Sequence, residues 1–192
     1  MFDQALKFLL DVVFGMLTYA FLLRFAMQAL RAPFRNPVGQ AVMALTDWAV
    51  KPLRSILPGF RGVDWATLIL TWLSQFCWLI VTGLLLGAGA GIGGNFFALL
   101  ALIACIEVVK AALWLLIVVV LVQAILSWVA PDGPIAGLLN ALTYRFLAPI
   151  RRRVPPLGGA LDLSPLIVLV IAQLLLMVPV RWLEGLVLGL VR

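Results

Sequence analysis

The sequence predicts an all-α, polytopic membrane protein with four transmembrane helices arranged as two parallel repeats, each a span, a basic amphipathic segment and a second span. Three observations carry this. Hydrophobic residues make up 65% of the 192 residues and charged residues only 11%, whereas soluble domains sit near half apolar and a quarter charged. No Asp, Glu, Lys or Arg occurs from Trp65 to Ile106, from Ala111 to Pro131, or from Leu163 to Val180, and about 20 apolar residues suffice to cross the hydrocarbon layer. Finally, the chain is similar to itself at a fixed offset.

The spans are read in chain order. The first covers Phe2 to Leu30, the second Trp65 to Leu86, the third Phe96 to Val129 and the fourth Pro165 to Leu186. The first is expected to be a retained span: Asp3 and Asp11 flank Lys7, with no basic leader region and no small-residue cleavage site. The third has 34 residues, about 51 Å of helix, so it must tilt or project beyond the bilayer. Glu107 and Lys110, three apart on one face, favour projection and an interfacial salt bridge over a proton relay. Asp3, Lys7 and Asp11 likewise share one face of the first helix.

Charge sets the expected orientation. Nine of the 14 basic residues fall in two stretches between apolar runs: Arg31, Arg35, Lys51, Arg54 and Arg61, then Arg145, Arg151, Arg152 and Arg153. By the positive-inside rule both stretches are cytoplasmic. The uncharged Gly87–Asn95 turn and both termini then lie on the other side of a bacterial inner membrane. Lys51, Arg54, Arg145, Arg151, Arg152 and Arg153 form the candidate surface for anionic lipid headgroups or a partner. Nucleic acid is disfavoured, because Arg151-Arg152-Arg153 is short and flanked by apolar residues. A membrane or cytosolic protein partner and a homo-oligomer stay open.

The basic connections are themselves helical in pattern. Asn36 can cap a helix and Pro37 suits its first position. Apolar residues recur at Val38, Val42, Leu45 and Ala49, and in the second copy at Ile135, Leu138, Leu139, Leu142, Phe146 and Ile150 after Pro134. Steps of three and four describe an amphipathic helix in the membrane interface, with a re-entrant or bundle-packed helix as the alternative.

The repeat aligns Thr46-Asp47-Trp48-Ala49-Val50-Lys51-Pro52-Leu53-Arg54 with Thr143-Tyr144-Arg145-Phe146-Leu147-Ala148-Pro149-Ile150-Arg151. Pro37 pairs with Pro134; after a one-residue shift, Asp64 pairs with Asp162 and Gln75 with Gln173. The units are residues 1–95, with basic segment 31–63, and 96–192, with basic segment 132–163. Two spans per unit give both copies the same orientation, a parallel repeat about an axis along the membrane normal.

These residues carry a resemblance. Asn36-Pro37, Thr46, Lys51-Pro52-Leu53-Arg54 and Pro58, with Thr143, Pro149-Ile150-Arg151-Arg152 and the string Gly158-Gly159-Ala160-Leu161-Asp162-Leu163-Ser164-Pro165, resemble the YggT family of bacterial membrane proteins. The chloroplast relatives of that family carry one such unit. The pattern departs where Gly133-Pro134 replaces Asn-Pro and where Gln123 stands opposite Arg24, which weighs against both halves doing the same job. The resemblance implies tolerance of osmotic shock in bacteria and membrane organisation or assembly in plastids and near division genes. It implies no enzyme activity.

The residues agree on that last point. Histidine is absent, removing the commonest general base and metal ligand. Cys77 and Cys105 lie singly in apolar runs and read as small core residues. Gly89-Ala90-Gly91-Ile92-Gly93-Gly94 matches G-x-G-x-x-G, but no strand precedes it and no βαβ unit surrounds it. No catalytic residue, metal or cofactor is expected. The candidate site is a polar cluster of Arg24, Asp64, Asp162, Gln75 and Gln173. Asp64 and Asp162 precede spans, as helix caps or as carboxylates that bind a cation or pair with Arg24, Arg54 or Arg151. Ser164 with Pro165 reads as the cap of the fourth span. Arg24 either snorkels or forms an ion pair, and the glutamines hydrogen-bond between helices or line a polar path. A membrane-organising protein and a small oligomeric channel or transporter for an ion or osmolyte are the two readings.

Overall fold

The computed structural model describes residues 2–59, 63–85, 96–154 and 162–189. The Gly87–Asn95 turn, Arg61 and the Gly158-Gly159 string lie outside them. The described chain is helical: α1 Phe2–Ala29, α2 Pro37–Ile56, α3 Trp65–Leu85, α4 Phe96–Val129, α5 Ala136–Arg153, α6 Ser164–Leu175 and α7 Arg181–Gly189. Among the described residues four helices are long and apolar enough to cross a membrane: α1, α3, α4 and the run from Ser164 to Val187. That count, with α2 and α5 between the members of each pair, is the two-repeat architecture expected.

The fourth span is not one regular helix. A π-turn at Leu176–Val180 joins α6 to α7 and contains Pro179. Proline has no N–H and its ring clashes with the carbonyl four residues back, so one extra residue in the turn accommodates it.

The helix ends differ between the repeats for a local reason. Asn36 Oδ1 accepts the Gly39 N–H at 2.8 Å and Pro37 occupies the first turn of α2. In the second copy Gly133 offers no side chain, and α5 starts at Ala136, two residues beyond Pro134, without a side-chain cap. Before α2 the chain leaves α1 through a Schellman turn: Ala32 N–H donates to the Met27 carbonyl at 2.7 Å and Arg31 N–H to the Gln28 carbonyl at 3.2 Å. The left-handed residue of such a turn is usually glycine; here it is Arg31, at φ 53°.

α2 and α5 pack on the bundle by one face. Val42, Thr46 and Val50 are buried, as are their repeat counterparts Leu139, Thr143 and Leu147. Of the expected stripe, Val42, Leu138, Leu139 and Leu142 are buried, and the correction falls on Leu45 and Phe146. Leu45 and Phe146 are about two-fifths exposed and Trp48 two-thirds exposed, while the threonines lie inside because each hydroxyl bonds the carbonyl four residues back, at Val42 and Leu139.

The spans form an open arrangement. α3 packs on α1 and α4, α1 also touches α4, and α4 packs on α6; among the described residues α6 touches neither α1 nor α3. An apolar cavity of about 240 Å³ lies between the repeats, lined by residues such as Leu22, Phe25, Leu115, Val119 and Phe146.

Candidate functional site: repeat-related ion pairs at the α2/α5 end

The basic helices end beside the starts of the spans that follow them. This brings Arg54, at the end of α2, onto Asp64, just before α3, in an ion pair. Arg151, at the end of α5, meets Asp162, just before α6, with Nε donating to Oδ2 at 2.8 Å. Each pair closes its own connection, tying α2 to α3 and α5 to α6. Both carboxylates also cap the helix they precede. Asp64 accepts from the Thr67 hydroxyl and, at 3.4 Å, from its N–H; Asp162 accepts the Ser164 N–H at 2.9 Å. Capping and ion pairing are therefore not alternatives here. Ser164 is not the cap of the fourth span: it is the first residue of α6, Leu163 holds the cap position, and Asp162 takes the Ser164 N–H from one residue before the cap; the Ser164 hydroxyl is buried without a partner among the described residues.

The two pairs differ in access. The Asp64 side chain is fully buried, whereas that of Asp162 is 29% exposed; the arginines are 42% and 40% exposed. Burial pushes both carboxyls up, but the donors outweigh it: Thr67 and Arg54 hold Asp64 below the usual carboxylate range, and Ser164 and Arg151 do the same for Asp162.

Arg24 does not join this cluster. It is buried in α1 and reaches the middle of α2, where Nη1 donates to Thr46 Oγ1 at 2.6 Å and Asp47 Oδ1 at 2.7 Å. Asp47 also pairs with Lys51 one turn on, at 2.8 Å, and Lys51 and Arg24 together hold its carboxyl low. Asp47 was missed in the sequence; its four-residue spacing to Lys51 was the available signal. In the second copy Gln123 replaces Arg24 and bonds Thr143, the counterpart of Thr46, while its Nε2 donates to Asn140 at 2.7 Å. Tyr144 stands where Asp47 stands. The charge and its counter-charge are lost together, so the contact survives as a neutral one.

The glutamines also separate. Gln75 Nε2 donates to Thr18 at 3.3 Å, and Thr18 donates to Ser74 at 2.9 Å, an α1–α3 link. Gln173 is exposed on α6. Its neighbour Ala172 replaces Ser74, and Ile117 of α4 replaces Thr18, so the polar interface of the first repeat has no equivalent. Gln28 supplies a contact of its own, accepting from Arg54 at 3.0 Å.

All six residues of the candidate headgroup surface are exposed, and Arg145, Arg152 and Arg153 make no ion pair among the described residues. Near the middle of α4, Lys110 bridges Glu107 and Glu184, each at 2.8 Å, tying α4 to α7. Among the described residues no three acidic, Cys or His side chains cluster to hold a metal.

A family model described as CCB3/YggT matches residues 4–85 and again 102–183. An uncharacterized protein of Pseudomonas aeruginosa is 36% identical over 166 residues, covering 85% of this chain and 82% of that protein. The uncharacterized protein in the proC 3′ region of Vibrio alginolyticus is 36% identical over 168 residues, 87% of this chain and 89% of its own. The uncharacterized protein YggT of Escherichia coli K12 is 32% identical over 169 residues, 88% and 85%. No solved structure matches. With the family model fitting once to each half and relatives aligning over most of its length, the chain belongs to the CCB3/YggT family, as a protein of two tandem repeats.

Proposed function

We propose that the protein is a non-catalytic scaffold of the bacterial inner membrane, which holds two basic helices at the cytoplasmic surface and so organises or protects the envelope, with osmotic stress as the setting. One observation carries the reading: three carboxylates at that end are held in pairs that fasten α2 and α5 to the spans, Asp47 with Arg24, Asp64 with Arg54 and Asp162 with Arg151. A conduit needs such groups facing water along a path, and here the cavity between the repeats is apolar and, among the described residues, α6 does not close a ring with α1 and α3. Arg145, Arg152 and Arg153, free of protein counter-charges among the described residues, suit anionic headgroups, each worth about 1 kcal/mol near a negative surface. Exposed Trp48, Leu45 and Ile56 on the outer face of α2 suit an interfacial position.

Dye-loaded liposomes given a hypo-osmotic step test this. With phosphatidylglycerol present, the protein should lower leakage relative to empty vesicles, and Arg145→Gln/Arg152→Gln/Arg153→Gln should remove the protection. Leakage equal to that of empty vesicles, or unchanged by the triple variant, would sink the reading.

A second reading, an oligomeric channel or transporter for an ion or osmolyte, draws on Gln173, an amide exposed in a span. Polar groups facing lipid usually find a partner helix, and a second copy would supply one.

A further inference from the structure

The repeats invite a position-by-position comparison of their latches. In the first, the Gln28 side chain of α1 reaches across to Arg54, and Asp64 is sealed. The register that sets Gln123 opposite Arg24 sets Ser127 opposite Gln28. Ser127 is too short to cross, and its hydroxyl donates instead to the Ala124 carbonyl of its own helix at 2.7 Å. The described residues leave a groove of about 430 Å³ there, between α4 and α6, with Arg151 and Asp162 at one end and Ile125, Leu166 and Leu169 on its walls. Small-ligand pockets run from about 300 to 1,000 Å³.

We propose that this groove binds one phospholipid with an anionic headgroup, its phosphate on Arg151 and the start of an acyl chain between α4 and α6. The inference rests on the lipid-facing scaffold reading and gives it a defined site in the second repeat alone. Arg151 spends Nε on Asp162 and has no other protein partner among the described residues, so its terminal N–H groups remain for a phosphate, which guanidinium binds in a fork. Arg152 follows directly and makes no ion pair among the described residues, so the local charge exceeds what Asp162 neutralises. Ile125 and Leu166 are more than half exposed, and Trp128, also on the groove, is 78% exposed. Tryptophan favours the headgroup level. From Pro165 to Leu169 the α6 wall rises about 6 Å, enough for the glycerol region and the first methylenes. The matching end of the first repeat lacks such walls: Thr67 and Thr71 replace Pro165 and Leu169, and Thr67 is already bonded to Asp64.

Native mass spectrometry of the full chain in detergent, with phosphatidylglycerol or phosphatidylcholine of identical acyl chains, tests the site. The expected result is one retained phosphatidylglycerol per chain, preferred about tenfold over phosphatidylcholine, as a charge-assisted contact implies. Ser127→Gln, which installs the closing residue of the first repeat, and Leu169→Phe, which fills the wall without touching charge, should each lower retention about tenfold. Leu84→Ala, exposed at the far end of α3 in the first repeat, should leave it unchanged, and millimolar inorganic phosphate should compete poorly. Preference for phosphatidylglycerol that survives both groove variants but falls with Arg152→Gln/Arg153→Gln would overturn the groove and keep the scaffold's basic surface. No preference at all would overturn both. Competition by phosphate as effective as by lipid would make this an anion site rather than a lipid site. Far-UV circular dichroism of each variant confirms that it is folded.

Discussion

Neutralising the two latch aspartates should have unequal effects. In Asp64→Asn the amide keeps an oxygen for the Thr67 N–H but loses the charge that receives Arg54 and the Thr67 hydroxyl. Hydrogen bonds to charged groups contribute about 1.5–3 kcal/mol, and breaking a buried pair costs about 3–5 kcal/mol. Arg54 is 42% exposed and can turn to water or a headgroup, so the full buried-pair figure does not apply, and a loss of about 2–3 kcal/mol is expected. In Asp162→Asn both partners are already partly exposed, at 40% and 29%, and such pairs contribute about 0.5–1 kcal/mol. The gap is roughly tenfold in the unfolding equilibrium constant. SDS titration in mixed micelles, followed by circular dichroism, measures it. Equal losses, or a larger loss at Asp162, would refute the reasoning that burial of the carboxylate sets the strength of the latch.

The same carboxyls set an acid limit. Both sit below the usual range in the folded protein, so their stabilisation is complete above the unfolded value near pH 4 and is lost as pH falls through the folded values; Asp64→Asn should flatten that acid loss in the same titration. Gly39→Ala should destabilise by about 1–3 kcal/mol, since a Cβ there would sit 2.5 Å from the Phe34 carbonyl oxygen, whereas Gly137→Ala in α5 meets nothing within 4 Å and should stabilise by about 0.5–1 kcal/mol. Arg31→Gly should raise stability by about 1 kcal/mol by relieving the left-handed backbone, with Arg31→Ala as the control that removes charge without relief; equal effects of the two would refute it.

How far the sequence reached depended on the scale of the signal. The span α4 appears at Phe96–Val129, where the apolar run placed it, because burial in lipid acts on the average of many residues. Asn36 capped α2 as its residue type required. The π-turn escaped notice although Pro179 lay in plain view, since a proline inside an apolar run is compatible with a kink, a break or a widened turn. Pairings are harder to read. Arg24, Asp64 and Asp162 each stand out, but which guanidinium meets which carboxylate depends on where α2 and α5 fold back; Asp47 is marked only by its four-residue spacing to Lys51, and Gln28 only as a polar group in a span. The repeat held more than was read from it: Thr46 and Thr143 aligned as identities, while their shared partner position, Arg24 in one half and Gln123 in the other, looked like a divergence of role. It is one contact made in both repeats, with its charge removed in the second.

The central claim, a fastened scaffold rather than a conduit, is tested most directly by potassium flux from proteoliposomes holding the folded, oriented protein under an osmotic step, beside Asp64→Asn/Asp162→Asn. The account predicts no flux above empty liposomes for either form. Flux in the wild type that the double variant abolishes would contradict it and make the two aspartates part of a transport path.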